Sequence, residues 1–197
     1  MRKTLLVGAA ALGLLAMPAA ALDTSSWSTY IGGDYQYVLP SYKSGLGVAM
    51  PLLSDGFNFH IGERLGPYYA VELGYMSGVG EKNGAVMVSG VSTPFTTHVS
   101  VAGPTLDLYG YLPLFHSPVS LFGTIGGSYL DGSAKVTIGT VETNASKSEI
   151  GYRVGGGIEW RPSNIFGIRG SVRYQSADFD GLASNAIITG IDFNFYF

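Results

Sequence analysis

The chain has 197 residues, of which only 13% are charged, whereas about 25% is usual in a soluble domain. Its 11 Lys and Arg face 14 Asp and Glu, a net charge of −3, which argues against a nucleic-acid partner. It contains no cysteine, so disulfides are excluded as the constraint that holds the fold together.

The first 21 residues have the pattern of a secretory signal peptide. Arg2 and Lys3 precede an apolar run at residues 5–17, which is too short to span a bilayer. Alanines at residues 19–21 offer a cleavage site. A retained membrane anchor is the alternative interpretation. We therefore predict a cleavable signal at residues 1–21 and a single domain at residues 22–197.

Eight later segments alternate apolar and polar residues with period two, as β-strands do. They cover residues 27–37, 57–63, 68–76, 104–112, 119–129, 149–160, 165–175 and 187–197. Each comes near the ~9–11 residues of a tilted transmembrane strand. No apolar run after the signal approaches the ~18 residues of a spanning helix, so a membrane-embedded domain must be a closed sheet.

The connections between these segments alternate in length. The long ones cover residues 38–56, 77–103, 130–148 and 176–186, and the short ones 64–67, 113–118 and 161–164. The short ones contain Pro with Gly or Asn, the residues of tight turns. This alternation predicts an up-and-down barrel with short periplasmic turns and long outer loops. In the second long connection, β-forming residues at 86–91 and 93–101 predict a hairpin that protrudes above the membrane.

The two faces of these strands differ in charge. One face is uncharged and apolar; in the last strand it consists of Ile191, Phe193, Phe195 and Phe197. The other face holds glycines, one histidine and the mid-strand charges: Asp34, His60, Glu72, Asp107, Arg153, Glu159, Arg169, Arg173 and Asp192. An Arg or Lys that faces lipid at the bilayer midplane costs about 2–4 kcal/mol, so the uncharged face is predicted to lie outside. A soluble lipocalin-type barrel with the apolar face inside is the alternative, although its lumen would be overfilled.

The predicted lumen therefore contains charged groups of both signs. If each tight turn lies midway between the two strands it joins, His60 lies opposite Glu72, and Glu159 lies opposite Arg169. Because buried charge is costly unless it is paired, we predict a structural network of ion pairs and hydrogen bonds that fills the lumen. A polar path that conducts small ions is the functional alternative.

Four motifs carry a family resemblance: Tyr-Ile-Gly-Gly-Asp-Tyr at 30–35, Tyr-Ala-Val-Glu-Leu-Gly-Tyr at 69–75, Val-Gly-Gly-Gly-Ile-Glu-Trp at 154–160 and the terminal Phe197. In their order, they resemble the eight-stranded OmpA-type transmembrane domains, in particular the opacity-protein and porin branch. The resemblance covers essentially all of residues 22–197. It implies insertion into the outer membrane by the barrel assembly machinery, which would read the C-terminal residues Ile191, Phe193, Phe195 and Phe197 as a signal. It also implies roles from envelope integrity to adhesion. The peptidoglycan-binding domain of longer OmpA proteins is not expected here.

A search for catalytic groups centres on the three histidines. His-Val-Ser at 98–100 has the spacing seen in lipid A deacylases of this architecture, but the next acid, Asp107, is predicted to lie inside the lumen, where it cannot orient the base. His60 is predicted to be a lumen residue, and His116 lies in a short turn. No spacing of His, Cys or Asp fits a metal site. We therefore predict no enzyme activity, cofactor or metal, with a lipid A hydrolase as the alternative.

Together these features predict an all-β protein, a monomeric eight-stranded antiparallel up-and-down transmembrane barrel in a Gram-negative outer membrane. Its predicted partners are the lipid bilayer and lipopolysaccharide, the barrel assembly machinery during insertion, and a host or surface ligand bound by the loops. The predicted function is structural or adhesive, and a narrow porin is the alternative.

Overall fold

A computed structural model describes residues 27–42, 51, 54–88, 90–114, 117–176 and 183–197. The strands within them are β1 (Ser28–Tyr42), β2 (Ser54–Leu65), β3 (Tyr69–Val88), β4 (Val91–Pro113), β5 (Val119–Ile138), β6 (Val141–Trp160), β7 (Phe166–Ser176) and β8 (Ala183–Tyr196). Among the residues described, no helix is long and apolar enough to cross a bilayer. The predicted signal peptide and His116 lie outside the described residues.

The eight strands form a closed barrel. Each pairs antiparallel with the next, and β1 also pairs with β8, so every strand within the barrel has two neighbours. The prediction of an all-β, eight-stranded up-and-down barrel is confirmed. The ends of the barrel differ, and we name them for their connections. The turn end carries the short connections, together with the start of β1 and the end of β8. The other end is the hairpin end.

Four strands are much longer than predicted. β3 to β6 have 20, 23, 20 and 20 residues, whereas the other four strands have 11 to 15. At the hairpin end β3 last pairs with β2 at Val79, and β6 last pairs with β7 at Tyr152. Beyond these points β3 to β6 continue as a four-stranded sheet. We call residues 80–99 and 132–151 the strand extension.

Two tight turns close the strand extension. Val88 pairs with Val91, and Ile138 pairs with Val141, so each hairpin turns over two residues. Gly139 has a φ of 60°, in the left-handed region that such turns require. The predicted protruding hairpin in residues 77–103 is confirmed. The expectation of a loop at 130–148 is wrong, because these residues form a second hairpin.

The outer face of the barrel is apolar, as predicted. Phe59 is 70% exposed and Ile150 is 80% exposed. Tyr35 and Tyr152 lie near the hairpin end, and Trp160 lies at the turn end, as expected of aromatic side chains at two membrane interfaces. The lipocalin-type alternative is wrong, because the bulky apolar set lies outside.

Candidate functional site

The candidate site is the barrel lumen, since the polar side chains singled out in the sequence lie there. None of these nine side chains belongs to a residue more than 6% exposed: Asp34, His60, Glu72, Asp107, Arg153, Glu159, Arg169, Arg173 and Asp192. They come from seven of the eight strands. Their groups divide into three tiers along the barrel axis.

The first tier, at the turn end, is built around Arg64, which the sequence analysis missed. Arg64 Nη1 donates to Glu159 Oε2 at 2.8 Å, and its guanidinium lies 3.5 Å from the centre of the Tyr111 ring. Tyr196 Oη donates to the other oxygen of Glu159 at 2.9 Å. The even spacing of Arg64 from His60 along β2 places both on the inner face. This even spacing could have identified Arg64 as a lumen residue from the sequence, although Arg64 lies beside the turn.

The second tier, at the centre of the barrel, is organised by Arg169. Its Nε donates to Asp192 Oδ2 at 2.6 Å, and its Nη2 donates to Glu72 Oε2 at 2.6 Å. Glu72 accepts two further bonds, both at 3.1 Å, from the hydroxyls of Tyr30 and Tyr109. A carboxylate that is paired with a guanidinium and also accepts two hydroxyl bonds has the full compensation that a buried charge needs.

His60 lies in the second tier, beside both carboxylates. Its Nε2 is 3.6 Å from Glu72 Oε2 and 3.5 Å from Asp192 Oδ1. One ligand atom from each of the three residues lies within 4.8 Å of the others, the spacing of a metal site. However, Arg169 Nη2 lies 3.1 Å from the same His60 nitrogen. The guanidinium therefore supplies the positive charge that a metal ion would bring, and this geometry argues against a metal there.

Of the two predicted facing pairs, one is wrong and one is confirmed. His60 lies opposite Gly74, not Glu72, because the β2–β3 turn is centred one residue later than predicted. A shift of two residues in register keeps every side chain on its face, and for this reason His60 still approaches Glu72 inside the lumen. Glu159 does lie opposite Arg169, but its ionic partner is Arg64.

The third tier lies nearer the hairpin end. Arg173 Nη1 donates to Asp34 Oδ2 at 3.3 Å, and its Nη2 donates to Tyr109 Oη at 3.2 Å, which links this tier to the second. Arg153 Nη1 lies 3.4 Å from Asp107 Oδ2, and both side chains are fully buried. These groups complete a polar filling that runs from the turn end through most of the barrel.

The strand extension has a different chemistry. Its ionisable groups compensate one another: Lys135 Nζ lies 2.9 Å from Glu142 Oε2, and Lys147 is paired with Glu149. The hydrogen bond from Lys135 lowers the pKa of the Glu142 carboxyl, which is exposed. Most of the remaining outward side chains of the two hairpins are Ser, Thr and Asn. The extension is thus a neutral polar sheet.

The His-x-Ser motif lies on the outward face of β4, where this extension meets the barrel. His98 Nδ1 is 3.4 Å from Glu81 Oε2, an acid that the sequence search did not consider. The hydroxyl of Ser100 shares a 2.8 Å hydrogen bond with the hydroxyl of Ser133. Asp107 lies inside the lumen beside Arg153, as predicted. His98, the candidate base, therefore has an acid beside it that can orient it. Ser100, the candidate nucleophile, is hydrogen-bonded to another hydroxyl.

The last strand presents its aromatic set outward. Ile191, Phe193 and Phe195 are 55%, 47% and 53% exposed, and Phe197 is 78% exposed. Phe197 N donates to Thr29 O at 2.9 Å, which fixes the end of the chain against β1. The four residues assigned to an insertion signal thus lie on the outer surface, where a membrane or an assembly factor can reach them.

Comparison with known proteins agrees with this geometry. A family model described as the outer membrane protein beta-barrel domain matches residues 7–195. No curated protein matches the chain. The match to the family model confirms the resemblance to outer-membrane barrels that the sequence motifs indicated.

Several solved structures are similar to the chain. One is a major outer membrane protein of Thermus thermophilus, at 12% identity and a TM-score of 0.63, over 87% of this chain and 100% of that one. Another is Neisserial surface protein A, at 16% identity and a TM-score of 0.52, over 85% and 95% of the two chains. A third is Ail of Yersinia pestis, in complex with the heparin analogue sucrose octasulfate, at 19% identity and a TM-score of 0.51, over 86% and 96%. At these identities the similarity shows a common fold.

Proposed function

Because this chain belongs to the family of outer-membrane protein β-barrel domains, we propose that it is a non-enzymatic surface protein whose barrel anchors an adhesive sheet. The chain is an outer-membrane protein. In the proposal the barrel holds the protein in the bilayer, and the strand extension binds a partner outside the cell. The observation that carries this proposal is the unequal length of the strands, since in the part of the chain that the structure describes β3 to β6 extend well above the rest of the barrel.

The filled lumen supports a scaffold role for the barrel. At the level of Arg169 the lumen also contains the buried rings of Tyr30, Tyr109 and Tyr111. An eight-stranded barrel has an interior only wide enough for such side chains. The ion-pair tiers then act as a polar core that fixes the strand register, which is the role that the sequence analysis assigned to the nine lumen residues.

The strand extension has two edges that suit the addition of a further strand. In the described part of the chain, residues 80–88 of β3 and residues 141–151 of β6 pair on one side only. Unpaired backbone N–H and C=O groups at a sheet edge are templates for an incoming strand. The β6 edge is exposed over most of its length and carries no proline, so it presents a continuous row of such groups.

The charge of the extension favours a protein partner over a sulfated polysaccharide. Its ionisable side chains include three lysines and three glutamates: Lys82, Lys135, Lys147, Glu81, Glu142 and Glu149. A polyanion is normally bound by a surplus of basic groups. The Ail structure holds a heparin analogue, but the balanced charge here does not support the same ligand for this chain.

The remaining parts of the proposal concern assembly. Residues 1–21 act as a cleaved export signal, and the barrel assembly machinery reads Phe197 and its outward neighbours on β8. The hairpin end faces outward among lipopolysaccharide, and the protein is a monomer. The outward position of Phe197 and the aromatic side chains near both ends of the barrel support this arrangement.

The two other functions considered from the sequence receive less support. Ion conduction requires an open path, whereas the second tier occupies the lumen centre. Lipid A hydrolysis requires a base bonded to its nucleophile, whereas Ser100 is bonded to Ser133.

The proposal is tested by shortening both hairpins without changing register. Because Gly80 pairs with Val99, and Gly132 with Lys147, residues 81–98 and 133–146 are each replaced by Asn-Gly, a two-residue hairpin turn. Cells that display the parent should adhere to host cells or to a matrix-protein surface, and cells with the shortened protein should not. The shortened barrel should still fold, as judged by its heat-modifiable gel mobility.

A charge-exchanged variant is the matched control. Lys135→Glu with Glu142→Lys preserves the ion pair, the hairpin and its length, so adhesion should be retained. Adhesion by the shortened protein equal to that of the parent would refute a role for the extension. Absence of adhesion by the parent on every surface tested would also count against the proposal.

A further inference from the structure

The lumen changes character near the hairpin end of the barrel. Met76, Leu130 and Ile188 pack against one another there and are 3%, 1% and 2% exposed. Met76 follows Glu72 by four residues on β3, and Ile188 precedes Asp192 by four on β8, so all lie on the inner face. The polar filling therefore ends in an apolar layer, which the ion-pair network does not require.

A cavity of about 90 Å³ adjoins this apolar layer. All eight strands contribute to its wall, which is largely apolar; its side chains include Val38, Pro40, Val99, Val101, Ala134 and Ala186. At this level β8 is paired on both sides, with Pro40 of β1 and Gln175 of β7 both opposite Ala186. The cavity thus lies inside the ring of strands, on the hairpin-end side of the ion-pair tiers.

The polar groups around the cavity define the ligand further. Lys147 forms an ion pair with Glu149, so its charge is neutralised and the wall is not expected to attract an anion. Tyr42 Oη and Gln175 Oε1 are buried, and neither has a hydrogen-bond partner among the residues described. A buried hydroxyl and a buried amide oxygen without partners are costly, and a ligand hydroxyl group can accept a hydrogen bond from the first or donate one to the second.

We propose that this cavity binds one small, uncharged molecule, mostly hydrocarbon and with a single hydroxyl group, of the chemical class of the phenols. Cavities of about 150 Å³ with aliphatic walls stay dry and take up a benzene ring, so this smaller cavity suits at most a single ring. A lipid acyl chain is too long for it. The three tiers fill the lumen between the cavity and the turn end. The cavity is therefore a binding site and not part of a channel through the barrel. This site is independent of the proposed adhesive role.

The test uses the full protein in phospholipid nanodiscs, with 4-fluorophenol as the probe and fluorine NMR as the measurement. In nanodiscs without protein, uptake of the probe should rise linearly with its concentration, and this measures its partition into lipid. The parent protein should add saturable binding of about one probe per chain. Ala134→Phe fills the cavity and should weaken this binding about tenfold or more. Ala85→Phe makes the same substitution at an exposed site on the extension and should leave binding unchanged.

A third variant tests the hydrogen bond. Tyr42→Phe should weaken binding of 4-fluorophenol more than binding of fluorobenzene, which has no hydroxyl. Equal weakening of both probes would refute the assignment of the hydroxyl group. Absence of saturable binding to the folded parent, or undiminished binding by the folded Ala134→Phe protein, would overturn the site itself. Fluorobenzene bound as tightly as 4-fluorophenol by the parent would overturn the phenol class.

Discussion

Glu159 and Arg169 lie directly opposite each other on β6 and β7, yet their charged groups bond to different partners. Glu159 accepts from Arg64 on β2 at 2.8 Å, and Arg169 donates to Asp192 on β8 at 2.6 Å. Asp192 lies directly opposite Arg169 on the adjacent strand, whereas Glu159 reaches across the narrow lumen to Arg64, and Arg169 also reaches across it to Glu72. The network therefore connects strands that are far apart around the barrel.

Double-mutant cycles should detect this arrangement. We expect Arg64→Met and Glu159→Gln to be non-additive, with a coupling free energy of about 1–3 kcal/mol, because each removes the partner of the other. Arg169→Met and Glu159→Gln should be nearly additive. The measurement is the free energy of unfolding in urea, in lipid vesicles. Stronger coupling of Glu159 to Arg169 than to Arg64 would contradict the three-tier arrangement.

Loss of Arg169 should be the most damaging single change in the lumen. Arg169→Leu leaves Glu72 and Asp192 without their common cation, and breaking a buried pair costs about 3–5 kcal/mol. The unfolding midpoint should fall accordingly. Lys135→Leu breaks an exposed pair of the extension and should have little effect. Similar midpoints for the two variants would show that Arg169 is not the centre of the network.

The barrel and its inner and outer faces could be predicted from the sequence, because a strict period of two decides which side chains point inward. The same period cannot distinguish registers that differ by two residues, and the error at His60 was of this kind. The ionic partner of Glu159 could not be predicted from the sequence, because the alternation along a strand does not indicate which side chains meet across the lumen axis.

The strand extension was predicted only in part, and the reason lies in its composition. Residues 130–148 are rich in Ser, Gly, Thr and Asn, which favour loops. However, the β-branched run Val136 to Ile138, followed by Gly139-Thr140 and Val141, is a hairpin signal. The Met76, Leu130 and Ile188 layer was also missed, since the inner face was expected to be polar throughout.

Two glycines near the β6–β7 seam should respond differently to the same substitution. A Cβ at Gly157 would lie 2.0 Å from the carbonyl oxygen of Gly170, whereas a Cβ at Gly170 would meet no atom within 4 Å. Gly157→Ala should therefore force the strands apart and lower the free energy of unfolding by about 1–3 kcal/mol. Gly170→Ala should be tolerated. Urea unfolding of both variants tests this; a tolerated Gly157→Ala would mean that the seam is looser than described.

A charge on the outer belt should destabilise the protein according to its depth. Ile125 lies mid-strand on the outward face of β5 and is 41% exposed. Ile125→Arg places a guanidinium in the hydrocarbon and should cost about 2–4 kcal/mol. Val91→Arg, at the tip of the extension, should cost far less because that site is in water. Equal losses of unfolding free energy in vesicles would argue that the belt around Ile125 does not face lipid.

The last prediction concerns conduction. In planar bilayers the parent should show no resolved single-channel steps, because Arg169 and Asp192 occupy the centre of the lumen with both side chains at most 1% exposed. Arg169→Ala with Asp192→Ala removes this pair at constant net charge and frees space for water, so small conductance steps should appear. Lys135→Ala with Glu142→Ala makes a matching charge-neutral change on the extension and should remain silent. Conductance of the parent as large as that of the lumen variant would mean that the second tier does not close the barrel, and the narrow-porin alternative would then be favoured.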